Sequence, residues 1–232
     1  MIWLTGDTHG HFDRVEAFCR EQQTTTDDIL IILGDSGFNF GGGERDRFLK
    51  TRATQFPITI FSLHGNRENR PQNIPGYVEG SFHGGKILYE PQYPNLLFAV
   101  DGEVYRFAGT DCLVVGGAYS TGKEYRLVKG LGWWPDEQPS PEIKAYVEQQ
   151  IREKQFDIVL SHTCPFKYEP TEMFLDCIIQ CTVDDSTERW LDTIEESIQY
   201  KAWFCGHSHT DKRIEKMHFL FRSFESDEQF KR

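Results

Sequence analysis

The chain has 232 residues, long enough to bury a sizeable core, and 38% hydrophobic with 14% aromatic content favours a packed globule over disorder. A formal net charge of −11 disfavours binding along a nucleic-acid backbone, which needs a basic stripe, so no extended nucleic-acid surface is expected. A phosphate ester stays open as a ligand, because divalent cations held by surplus carboxylates invert the local field.

The six cysteines, at positions 19, 112, 164, 177, 181 and 205, form no Cys-x-x-Cys pair. They read as free, buried thiols of an intracellular chain. Cys177 and Cys181 are four apart and are expected to share a helix face in core packing. The opening apolar run is too short for a signal peptide or a membrane span, which points to the cytoplasm.

In chain order, Met1–Thr5 is a short buried strand running into Gly6-Asp7-Thr8-His9-Gly10. Phe12, Val15, Phe18 and Cys19 have helical spacing and predict a helix over 12–20. Ile29–Leu33 is a continuous apolar run, a central strand buried on both faces, ending in Gly34-Asp35. Gly41-Gly42-Gly43 is a loop with no Gly-Lys-Ser/Thr after it, so it is no Walker loop. A helix follows over 44–55, then a strand over 58–63 ending in His64-Gly65-Asn66-Arg67-Glu68.

Residues 69–95 are rich in Pro, Gly and Asn and read as irregular, with His83-Gly84-Gly85-Lys86 in their midst. Short strands over 96–100, 103–108 and 112–115, with turns between, predict a meander in a second sheet. Residues 119–141 are punctuated by Gly and Pro. Beyond them come a helix over 142–154, a strand over 158–160 ending in Ser161-His162, and a helix over 187–198. A strand over 202–205 ends in Gly206-His207-Ser208-His209, and 213–215 with 218–222 predict a closing hairpin. With no repeat or linker evident, residues 1–232 read as a single domain.

Five predicted strands thus stop at candidate ligands: Asp7 and His9, Asp35, Asn66, His162, and His207 with His209. Singly, an Asp after a strand is a turn former or helix cap, and a lone His is a surface or hydrogen-bonded residue. Five coincidences are harder to explain that way. Strand ends of an α/β fold share one edge, where sites are built. Carboxylate and imidazole donors suit Mn, Fe, Zn, Co or Ni. Seven such groups serve two ions if one carboxylate bridges them; such pairs sit about 3.5–4 Å apart and activate a shared water for attack on phosphorus.

Gly-Asp-Thr-His, Gly-Asp, Gly-Asn-Arg-Glu, Ser-His and Gly-His-Ser-His together resemble the five blocks of calcineurin-like metallophosphoesterases, in order, from residue 6 to 209. Trp133-Trp134-Pro135-Asp136-Glu137 and the His83–Lys86 stretch resemble a bacterial branch of that superfamily. The resemblance implies a four-layer α/β/β/α sandwich. It implies one divalent ion on Asp7, His9 and His209, a second on Asn66, His162 and His207, and Asp35 between them. Mn²⁺ leads among the candidates, with Fe, Zn, Ni, Co or Mg also possible. It further implies hydrolysis of phosphate mono- or diesters.

One position departs. The third block of the family normally carries a histidine that protonates the leaving oxygen, and here that position is Arg67. Arginine stays charged at ordinary pH and cannot be a general acid, although it can clamp a phosphoryl oxygen. Arg67 therefore stands as an engineered or natural change that lowers activity, or else His11, His64 or His83 supplies the proton. The competing expectation is a metal-binding interaction module without meaningful turnover.

Other features have plainer explanations. Tyr125, Lys123, Arg126, Trp133 and Trp134 fall in one long connection. They could stack a base and hold a phosphate, but the two tryptophans are better explained as covering a sheet edge. Cys164 and Cys205 are expected to pack beneath the site, and Ser36 and Ser208 carry no triad signature.

Overall fold

The computed structural model describes residues 1–174 and 178–231, so Cys177 lies outside the described residues, while Cys181 is exposed in a short 3₁₀ turn rather than buried on a helix face. The first half runs β1 (Ile2–Thr5), α1 (Asp13–Gln22), β2 (Ile29–Ile32), α2 (Gly43–Ala53), β3 (Thr59–Ser62), β4 (Val78–Phe82), β5 (Gly85–Tyr89) and β6 (Leu96–Ala99). The second runs β7 (Val104–Phe107), β8 (Thr110–Val115), α3 (Lys123–Lys129), α4 (Pro141–Glu153), β9 (Ile158–Ser161), α5 (Ser186–Ser197), β10 (Ala202–Cys205), β11 (Lys212–Ile214), β12 (Met217–Phe219) and β13 (Glu225–Ser226).

One sheet has the order β13-β1-β2-β3-β6-β5-β4 and the other β11-β12-β10-β9-β8-β7. β1, β2, β3 and β6 are mutually parallel, as are β8, β9, β10 and β12. Alternation along β2 explains its unbroken apolar run. Ile29, Ile31 and Leu33 face the second sheet, packing with Leu4, Phe61, Val114, Leu160 and Phe204. Leu30 and Ile32 face the other way, onto Phe12, Val15 and Phe18 of the first helical layer. On the far side, Leu113, Val115, Val159 and Trp203 meet Val147 of α4 and Leu191 and Ile194 of α5. The result is the expected α/β/β/α sandwich.

Three departures have local causes. The stretch 69–95 holds the β4–β5 hairpin, with His83 and Gly84 in its turn. β4 reads Val-Glu-Gly-Ser-Phe and lies at a sheet edge with much of its surface exposed, so no apolar run marks it. β6 does not join a meander with β7 and β8: it pairs with β3 and β5 in the first sheet. The Asp101-Gly102 turn is where the chain crosses between sheets. The Asp101 carboxylate takes a hydrogen bond from Arg70 Nη1 at 2.6 Å and one from the Gly116 amide at 2.6 Å. Finally, the stretch after Tyr119 contains the short helix α3. No helix of the described residues is long and apolar enough to cross a membrane.

The Arg70–Asp101 pair is almost wholly buried, with side chains 5% and 3% exposed, so losing one partner strands a charge. Arg70→Met is predicted to cost about 3–5 kcal/mol in urea unfolding. Arg106→Met, which breaks an exposed pair with Asp111, should cost under about 1 kcal/mol. Equal losses would contradict the burial argument.

Candidate metal centre

The loops after β1, β2, β3, β9 and β10 leave the carboxyl ends of adjacent parallel strands, so they emerge on one edge of the two-sheet core. Their backbones are unusually bent. His9, Asp35, His207 and His209 have φ of 49°, 50°, 61° and 49°, in the left-handed region that residues other than glycine seldom enter. Cross-loop hydrogen bonds hold these turns. The His9 amide donates to the Asp35 carbonyl at 2.8 Å, the His207 amide to Asp7 Oδ1 at 2.9 Å, and the Arg67 amide to Asp35 Oδ1 at 2.7 Å. Close approach requires glycine at Gly34: a Cβ there would lie 2.2 Å from His162 Nδ1, at φ +92°.

All seven sequence-derived candidates converge, in two groups. His9 Nε2 and His209 Nε2 are 2.9 Å apart, and they lie 3.6 and 3.1 Å from Asp7 Oδ2. Across from them, Asn66 Oδ1 is 2.9 Å from His162 Nε2 and 3.1 Å from His207 Nδ1. Asp35 lies between the groups, with Oδ2 3.7 Å from His9 Nδ1 and Oδ1 4.0 Å from His162 Nε2.

The protonation pattern fits cations. His162 Nδ1 lies 2.8 Å from the Leu33 carbonyl, which only accepts, so Nδ1 carries the proton. In the neutral ring, Nε2 then turns a lone pair toward Asn66. That amide donates through Nδ2 to Ser120 Oγ at 2.8 Å, so it too presents an acceptor, Oδ1. Two acceptors facing each other at 2.9 Å suit a shared cation.

Burial pushes His207 down to about 3 and His9 down to about 4, Asp7 opposing in both cases, which leaves both as neutral donors at neutral pH. Asp35 is pushed up to about 7, by burial first and then by the charge on Asp7. Burial also works to raise Asp7, but the His209 hydrogen bond and the neighbouring imidazoles outweigh it and hold that carboxyl low. The same hydrogen bond raises His209. Two buried carboxylates that resist joint ionisation, beside His9 and His207 kept neutral, form a donor set matched to divalent ions with nitrogen and oxygen ligands.

Two supporting groups escaped sequence reasoning. Ser120 orients Asn66, and no local pattern marks it. Glu68 had the signal of its motif but no assigned role. Its fully buried carboxylate accepts from Ser36 Oγ at 2.7 Å and from the amides of Gly37 and Gly65 at 3.3 and 3.1 Å, fastening the second and third loops together.

Arg67 is exposed beside the centre, its amide on Asp35. Of the three histidines that could supply a proton, His64 and His83 are poorly placed. His64 is buried, and burial with the Arg70 charge keeps it well below its ordinary range. His83 sits in the β4–β5 turn, 3.0 Å from the Arg106 carbonyl and packed on Phe82 and Phe107. His11 is exposed beyond the β1 loop. Burial pushes the Cys164 and Cys205 thiols up, as expected of packing residues.

The tryptophans pack on the glycine-rich loop and α3 rather than on a sheet edge. Trp134 is edge-on to Phe40 with centroids 6.1 Å apart, and Lys123 Nζ lies 4.5 Å from the Trp133 centroid.

The model of the calcineurin-like phosphoesterase family matches residues 1–211, and the chain belongs to that family. No curated protein sequence matches it significantly. Among solved structures, TT1561 of Thermus thermophilus superposes over 97% of this chain and 96% of its own, with a TM-score of 0.52 and 12% identity. At that identity the likeness speaks for the fold alone. A second solved structure, 13% identical over 94% of this chain and 88% of its own with a TM-score of 0.47, is too distant to argue from.

Gly34→Ala is predicted to displace the His162 ring and reduce manganese uptake, measured by mass spectrometry after loading and desalting. Gly122→Ala, where an added Cβ meets nothing within 4 Å, serves as the control and should take up the wild-type amount. Equal uptake by both variants would show that ring placement is not limiting.

Proposed function

We propose that the chain, acting as a single cytoplasmic domain over residues 1–232, hydrolyses phosphate mono- or diesters with two divalent ions, Mn²⁺ foremost. Asp7, His9 and His209 hold one ion. Asn66, His162 and His207 hold the other, and Asp35 is shared. The observation that carries this reading is Asp35, with one oxygen toward His9 and the other toward His162. When bound, the ions supply Lewis acidity toward the phosphoryl group and activate the attacking water.

The chain's own residues then set the limits of the reaction. His162 keeps its Nδ1 proton on the Leu33 carbonyl, which leaves Nε2 free to bind. Ser120 keeps the amide oxygen of Asn66 turned inward. Arg67 cannot release a proton, so its part is to bind a phosphoryl oxygen and offset its charge. Lack of a general acid slows such steps by about 10²–10⁴-fold, most severely for poor leaving groups. A second reading, a metal-binding interaction module without turnover, is favoured by Arg67 together with the unsuitable settings of His64 and His83.

A panel of aryl and alkyl phosphate esters with Mn²⁺-loaded protein separates the two. Aryl esters are expected to be hydrolysed and alkyl esters cleaved poorly, with Arg67→His raising alkyl turnover far more than aryl. Equal gains on both would remove the missing-acid explanation. Metal uptake with no turnover, even in Arg67→His, would favour the interaction module.

A further inference from the structure

A buried arginine without an ion-pair partner is costly, and Arg126 on α3 is one. It is 6% exposed. None of the arginine ion pairs among the described residues includes it. The one side-chain hydrogen bond it makes among the described residues is a long one, 3.4 Å from Nη1 to Ser120 Oγ, and Nη2 has no partner.

What holds the side chain is aromatic. The guanidinium carbon lies 5.6 Å from the Phe40 ring centroid and 5.9 Å from that of Trp134. Such contacts offset only part of the cost of desolvating an unpaired ion, so the rings alone do not compensate for its burial. They secure the flat faces of the fork and leave an N–H edge unused.

That edge adjoins the candidate metal centre. The hydroxyl touched by Nη1 is the one that receives Asn66 Nδ2 at 2.8 Å. Arg67 follows Asn66 directly in the chain and likewise enters no ion pair among the described residues. Burial and then the charge of Arg67 press the Arg126 pKa down, while Asp35 and the buried Glu137, which accepts from the Ser120 amide, raise it from beyond ion-pair distance. Two cationic forks thus stand beside one cluster in a chain of net charge −11.

We propose that Arg126 is a substrate-binding residue and that, with Arg67, it selects phosphate monoesters over diesters. This rests on the phosphoesterase reading and deepens it. A monoester dianion has three non-bridging oxygens. With two turned to the centre, the third accepts from the guanidinium edge. A diester has only two, and places an ester oxygen with its substituent where the third would be. The aromatic setting keeps the fork rigid, so little side-chain freedom is lost on binding.

The test is calorimetric titration of Mn²⁺-loaded wild type, Arg126→Met and Arg126→Lys with inorganic phosphate and with dimethyl phosphate. Metal content and melting temperature are measured on the same samples. Arg126→Met should weaken phosphate by about 10–100-fold, the worth of a charge-assisted hydrogen bond. Dimethyl phosphate should change less than about threefold on the same scale, and Arg126→Lys should recover part of the phosphate affinity. Wild-type phosphate affinity in Arg126→Met overturns the proposal. Parallel loss of both probes, or loss of manganese together with phosphate, also overturns it, because Arg126 would then act through Ser120 and Asn66. If Arg126→Met does not fold, Arg126→Lys carries the test: it keeps the charge but not the fork and must still weaken phosphate more than dimethyl phosphate. A wild type that takes up no manganese would end the phosphoesterase reading, and phosphate affinity of the metal-free chains with and without Arg126 would then decide this inference alone.

Discussion

The candidate centre depends on one contact between the two sheets. At the end of β2 the Leu33 carbonyl lies 2.8 Å from His162 Nδ1, at the end of β9. This bond fixes how closely the sheets approach at their carboxyl edge, and it fixes the tautomer of the histidine. Nothing bulkier than glycine fits there, as the 2.2 Å distance from a Cβ at Gly34 to the ring shows. Packing of the apolar layer between the sheets sets the distance that this bond spans.

Around that contact the protein accepts costs that an ordinary turn would avoid. Four of the seven converging residues have left-handed backbones. Buried acceptors face each other, and two carboxylates share a desolvated space. Each feature is unfavourable in isolation and is relieved by positive charge at the same place. Glu68, Ser120 and the cross-loop amides keep the arrangement from relaxing.

The electrostatic layout has two scales. The chain as a whole is acidic, with a formal net charge of −11, which opposes long-range attraction of polyanions. Beside the centre stand two cationic side chains, Arg67 exposed and Arg126 embedded among aromatic rings. A small anion meets cationic groups only on close approach. Burial keeps His9, His207 and His64 neutral, whereas the hydrogen bond to Asp7 raises His209.

Much of the centre was legible in the chain because buried parallel strands leave a strong local mark. An apolar run ending in glycine and a polar residue says where a strand stops, and strand ends in such folds share an edge. That pattern located Asp7, His9, Asp35, Asn66, His162, His207 and His209 without coordinates. It did not mark β4, whose edge position demands no apolar run, nor the sheet that β6 would join, since a two-residue turn looks alike within a sheet and between sheets. Ser120 was illegible for a different reason, and Arg126, marked in the sequence only as one of several residues able to hold a phosphate, could not be placed beside the centre. Their importance lies in what they touch from a distant part of the chain, Asn66 for one and Phe40 with Trp134 for the other. Residue type and strand-end position are local properties that the sequence alone determines. The pairing of lone pairs, the burial of a charge and the crossing between sheets arise only when remote segments pack, and those the tertiary structure decided.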